Sequence, residues 1–101
     1  MMVRVWQGSA PRSKISEFTT YVRQELLHSY LKVRGNRGAI LLSRPCGDNT
    51  EFLLLSFWHS ATSLDALTEP DVVRVLRQEL TNHSPAIKNY EIVEYNPPDE
   101  G

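Results

Sequence analysis

The stretch Glu51-Phe52-Leu53-Leu54-Leu55-Ser56-Phe57-Trp58 decides the fold, because it reads as a strand with two apolar faces. Alternation along a strand sends Phe52, Leu54, Ser56 and Trp58 to one side and Leu53, Leu55 and Phe57 to the other. A strand with one wet face in a small antiparallel sheet would alternate apolar and polar residues instead. Both sides of this one need a cover, and a chain of 101 residues holds few elements to supply it.

Upstream, Val3–Gln7 alternates as a short strand and Ser9–Ser13 is a connection, with Ser13 placed to cap a helix. From Lys14 to about Leu31, Ile15, Phe18, Val22 and Leu26 make one helical stripe, widened by Tyr21, Leu27 and Tyr30. Gly35 and Asn36 end that helix. Arg37–Arg44 reads as a second strand, apolar on both faces through Ala39, Ile40, Leu41 and Leu42, and Pro45–Thr50 as the hairpin connection to the third.

After the third strand, Ser60 or Ser63 caps a second helical region. It carries Leu64, Leu67, Val72, Val73, Leu76 and Leu80, and Pro70 divides it into two short helices. Thr81–Pro85 is loop, Lys88–Tyr95 a last strand, and Asn96–Gly101 a polar tail expected to fray. The expected organisation is one domain over residues 1–95 followed by a tail over 96–101.

The order β-α-β-β-α-β predicts a ferredoxin-like α+β fold, an antiparallel sheet with its helices on one face. Strands separated by a helix run parallel to each other, and the central pair is a hairpin. The bare second face predicts a homodimer, two copies of the sheet packed face to face about a two-fold axis. A stable interface of this kind buries on the order of 800 Å² per subunit.

Composition excludes several classes of partner. The net charge of −1 and the scattered Lys and Arg give no phosphate-tracking stripe, so no nucleic-acid partner is expected. No apolar run approaches the length of a membrane span. Arg4 and Gln7 interrupt any signal-peptide-like stretch, and the single cysteine, Cys46, excludes an internal disulfide framework; the expectation is a cytoplasmic protein. Cys46 sits near Asp48, a neighbour that does not activate a thiol, and is read as inert. No His, Cys, Asp or Glu set has the spacing of a recognised metal motif, so no metal is expected.

Four stretches, Val3–Gly8, Gly35–Ala39, Glu51–Ser60 and Asn89–Val93, together resemble the antibiotic biosynthesis monooxygenase superfamily of dimeric α/β-barrel proteins. The most specific element is the tryptophan closing the third strand, followed by a polar residue, Ser60 and a helix. The resemblance implies two ferredoxin-like subunits joined through their sheets, each with a pocket between sheet and helices. It also implies oxidation of a small hydrophobic substrate (a phenol, quinol or polyketide-type aromatic) by molecular oxygen, without a bound cofactor. Fold alone does not fix reaction type, and the alternative is a non-catalytic dimeric ligand-binding or stress-related protein.

Trp58 matches the family tryptophan that lines the pocket; the other reading is a core aromatic joining sheet to helix. If it lines a pocket, Phe52, Leu54 and Ser56 share its face, with Ser56 a polar notch in an apolar wall. Trp6 and Gln7 lie where some members place a polar strand residue, and Gln7 or Ser56 would orient a substrate oxygen. His59 or Tyr21 would move the proton; a histidine beside a helix cap is otherwise a solvated surface residue. Arg4 and Trp6 share a face, either as a cation–π clamp or, the favoured reading, at the dimer interface. Arg37, within Gly35–Gly38, could meet an anion, but the glycine pair reads as a turn. His28 suits a helix C-terminus, and His83 has no partner at ligand spacing. Haem-degrading members carry a helical histidine in the second helical region; Val72–Leu80 contains none, so haem is not expected.

Overall fold

The computed structural model describes residues 1–65, 80–83 and 85–99. Strands β1 (Met2–Pro11), β2 (Asn36–Cys46), β3 (Asn49–Trp58) and β4 (Ala86–Glu91) form one sheet in the order β2-β3-β1-β4. Every neighbouring pair is antiparallel. β1 therefore runs parallel to β2, and β3 to β4, each across an intervening strand, which is the ferredoxin-like arrangement.

The β2–β3 connection is tighter than the expected span Pro45–Thr50. Pro45 pairs with Thr50 and Cys46 with Asn49, so the turn is Gly47-Asp48 alone. Gly47 adopts a φ of 63°, open to glycine at no steric cost. β4 begins earlier and ends sooner than Lys88–Tyr95. The Ile92 N–H donates to the Met1 carbonyl at 2.8 Å, and the chain beyond leaves the sheet.

Residues 15–31 form one continuous helical run of three geometries: α over Ile15–Tyr21 (helix α1), π over Val22–Leu27, and α again over His28–Leu31 (helix α2). Ser13 does not cap it. It sits in a 3-10 turn, Arg12–Lys14, and no side chain caps the helix start. Ser60 does cap helix α3 (Ala61–Asp65), its Oγ accepting the Ser63 N–H at 3.3 Å. The division at Pro70, and Leu67, Val72, Val73 and Leu76, lie outside the described residues.

Phe18, Val22, Leu26 and Tyr30 recur every four residues, and each is at most 1% exposed. An α-helix turns in about 3.6 residues, so three successive steps of four would carry the stripe off the sheet. The wider π turns absorb the excess and return the stripe to register. The helical run thus lays four apolar groups along one face of the sheet.

That inner face carries Trp6, Phe52, Leu54, Ser56 and Trp58, all buried, and Leu64 and Leu80 complete the core. Trp6 is 1% exposed beneath this cover, so it does not lie on the bare face where a dimer interface was expected. The outer face presents Val3, Val5, Leu53, Leu55 and Phe57, half-buried, with Ile40, Leu42 and Tyr90 exposed. Among the described residues the helices cover the inner face only. At one end of the outer face Arg44 and Glu51 form an ion pair at 2.9 Å, whose hydrogen bond and charge push the exposed arginine's pKa up.

Leu26→Ala empties a fully buried position under the π stretch and should cost about 2–5 kcal/mol. Urea denaturation should show a lower midpoint with an unchanged slope; a midpoint within error of the parent would contradict this packing.

Candidate functional site

The inner face is built as cross-strand rows, because directly paired residues of antiparallel strands share a face. One row is Leu41, Leu54, Trp6 and Ile87; the next is Ala39, Ser56, Arg4 and Asn89. Trp58 stands in the row beyond, beside Met2.

Trp58 is wholly buried, and its Nε1–H donates to Ser56 Oγ at 2.9 Å. The ring of Tyr30 meets it edge-on, centroids 5.2 Å apart at 81°. Ser56 is therefore the indole's own partner, and Trp58 is locked between strand and helix. Phe52 packs against Phe18 with centroids 4.4 Å apart. It reaches that place because Gly8 lies opposite: a Cβ on Gly8 would stand 2.9 Å from the Phe52 ring.

Trp6 differs from Trp58 in one respect. Its Nε1 is buried and meets no acceptor among the described residues. A buried donor left unmet costs about 1–3 kcal/mol, which an acceptor on a bound molecule or water would recover. Beside Trp6, Arg4 Nε donates to Asn89 Oδ1 at 2.9 Å. Strand β4 is exposed along its length, with Ile87, the cross-strand neighbour of Trp6, 39% exposed. Buried Trp6, the Arg4–Asn89 pair and half-exposed Ile87 thus stand in adjacent cross-strand rows of the inner face.

The remaining expected site residues scatter. Gln7 pairs with Leu53 and Ala86 on the outer face, so the thickness of the sheet separates it from Trp58. Tyr21 is half-buried against the core at the rim of a cleft of about 490 Å³ shared with Glu17, Gln24 and Leu80. His59 is exposed and lines a different cavity, beside Arg34 and Arg37. Trp6, Phe52, Leu54, Ser56 and Trp58 share one wall; Gln7, Tyr21 and His59 do not converge on it. The unmet Trp6 donor and the Arg4–Asn89 pair were not singled out from the sequence, since both depend on how β1 registers against β3 and β4.

No family model and no curated protein matches the chain by sequence. Solved structures do match, and they define the class: the fold is that of the antibiotic biosynthesis monooxygenase-like structures. A proposed antibiotic biosynthesis monooxygenase from Bacillus cereus superposes with a TM-score of 0.69 at 9% identity, covering 96% of this chain and 97% of that one. Rv0793 from Mycobacterium tuberculosis matches with a TM-score of 0.67 at 17% identity, over 96% and 100%. The heme-degrader MhuD of the same organism, holding two hemes in its active site, matches with a TM-score of 0.63 at 16% identity, over 96% and 100%.

Haem fits poorly with the donors this chain offers. Its three histidines, His28, His59 and His83, are all exposed, and none stands on the inner sheet face. Among the described residues no group of three or more His, Cys, Asp or Glu could hold a metal ion.

Ser56→Ala strands the Trp58 N–H in the core and should lower stability by about 1–3 kcal/mol, measured by chemical denaturation. A neutral result would mean the indole finds another acceptor.

Proposed function

We propose that the protein binds a small, hydrophobic aromatic molecule against the inner face of its sheet and acts on it as a cofactor-independent monooxygenase. The unmet, buried Nε1–H of Trp6 carries this reading. It stands among apolar and aromatic side chains, as ligand sites require, and offers one fixed donor to a ligand oxygen. A phenol, quinol or enol oxygen held there would gain a hydrogen bond that strengthens as the oxygen takes on charge. The substrate then supplies the electrons: its acidic C–H loses a proton, the carbon reacts with oxygen, one oxygen atom remains as a new carbonyl and the other leaves as water. Trp58, Phe52 and Leu54 would form the dry wall, with Ser56 holding Trp58 in place. Tyr21, half-buried against that core from the helical run, would move the proton, while His59 and Gln7 would stand away from the ligand.

A homodimer belongs to the same proposal. The outer face offers Val3, Val5, Leu53, Leu55 and Phe57 with exposed Ile40 and Leu42, a contiguous apolar surface suited to its own copy. The second reading is a non-catalytic ligand-binding or stress-related dimer. The closed packing around Trp58, 0% exposed with its N–H satisfied, favours it.

Oxygen uptake with anthrone-type and quinol substrates separates the two. Turnover that falls in Trp58→Ala and in Trp6→Phe supports the oxygenase; saturable quenching of indole fluorescence without oxygen uptake supports the binding protein. Trp6→Phe should weaken binding roughly tenfold, the worth of one neutral hydrogen bond. In sedimentation velocity the parent should run as a dimer and Leu55→Asp as a monomer. A parent that is monomeric and well folded at micromolar concentration would remove the dimer.

A further inference from the structure

The Gly35–Gly38 segment and His59 take no part in the site above, yet the fold brings them together. Gly35 has a φ of 97°, and a Cβ on it would collide with the Ser63 hydroxyl and lie 2.9 Å from Ser63 Cβ. Glycine alone allows this approach. The His59 N–H donates to the Gly35 carbonyl at 2.7 Å, and Asn36 Nδ2 donates to the Phe57 carbonyl at 3.4 Å. These bonds clamp the loop after the first helical run against the end of β3. The expected turn is present at Arg34-Gly35, closed by the Asn36 N–H on the Val33 carbonyl at 3.2 Å, and it runs into the irregular start of β2, where the register slips between Asn36 and Ala39. Arg37 sits inside that irregularity, and such bulges recur beside binding sites.

Beside the clamp lies an open cavity of about 490 Å³. Arg34, Arg37 and His59 line it with Ser60, Thr62 and Ser63, and the Ser60 and Ser63 hydroxyls share a hydrogen bond of 3.3 Å. No carboxylate stands among the described residues of its lining, and among the described residues neither arginine is in an ion pair. The surrounding sequence has the same bias: residues 26–43 hold Lys32, Arg34 and Arg37 and no acidic residue, while Arg44, further along β2, is paired with Glu51. In a protein of net charge −1 this is a local concentration of positive charge, with hydroxyl donors already gathered beside it. Guanidinium groups recognise planar or tetrahedral oxyanions through paired, charge-assisted hydrogen bonds.

We propose that this cavity binds the oxyanion group, phosphate or carboxylate, of a small molecule. Arg34 and Arg37 supply the charge, His59 a ring donor, and the hydroxyls the remaining hydrogen bonds. The site rests on a different set of residues from the proposed aromatic site, and it stands whether or not that site is catalytic.

The test titrates the protein with inorganic phosphate, and separately with citrate, at constant ionic strength set by sodium chloride. The His59 ring resonances and the Gly35 and Ser63 amides are followed by NMR. Saturable shifts at these three residues are expected with at least one of the two anions, and the anion that saturates identifies the group. Arg34→Gln/Arg37→Gln should weaken that binding roughly tenfold or more. Arg37→Lys, which keeps charge but loses the paired geometry, should fall between. Both arginines are exposed, so the near-ultraviolet signal of the buried indoles should be unchanged in each variant. Shifts that never saturate with either anion, or binding equally strong in Arg34→Gln/Arg37→Gln and in Arg37→Lys, would overturn the proposal.

Discussion

The pairing of β1 with β3 is the constraint on which the rest of the molecule hangs. It sets Trp6 opposite Leu54 and Met2 opposite Trp58, so both indoles fall on one side of the sheet. A slip of one residue would send one of them to the other side, because a strand's side chains alternate strictly. With both indoles inside, the helical run must bring Phe18, Val22, Leu26 and Tyr30 down over them, and the opposite face is left with Val5, Leu53, Leu55 and Phe57. The buried core, the exposed strand β4 and the apolar outer face are three results of one register.

Much of this architecture is legible in the sequence. The two-faced apolar pattern of residues 52–58 requires cover on both sides, and the order of strand and helix patterns leads to the right sheet. What alternation cannot do is say which of its two sets faces the helices. Phe52, Leu54 and Trp58 against Leu53, Leu55 and Phe57 is nearly a symmetric choice in hydrophobicity. It is settled by size and by Gly8, which leaves room on the inner side for the Phe52 ring. The same ambiguity puts Gln7 in the pocket and Trp6 at the interface when only the sequence is read. Element ends are less readable, because Pro45 and Cys46 look like turn residues and still join the ladder.

The two tryptophans show how similar residues come to have different uses. Trp58 has its hydrogen bond inside the protein, two residues away along its own strand, and is finished as a structural element. Trp6, 1% exposed, keeps a donor unspent among the described residues. Spacing alone assigns both to the same wall; only the local partner separates anchor from recognition group. The Gly35 loop makes a parallel point about charge. Four basic residues spread over residues 32–44 read as scattered along the chain, and a carbonyl bond to His59 gathers two of them around one space.

The π stretch Val22–Leu27 has a further meaning for how this family of shapes can change length. It holds one residue more than an α-helix would use, and Arg23, Gln24 and Glu25 within it are all exposed. Excising one of those three would turn the spacing four-four-four into four-three-four, the ordinary rhythm of an α-helix. Phe18 and Tyr30 would keep their seats on the sheet. The helix therefore carries its own slack, and a shorter descendant could arise here without the core having to learn a new arrangement.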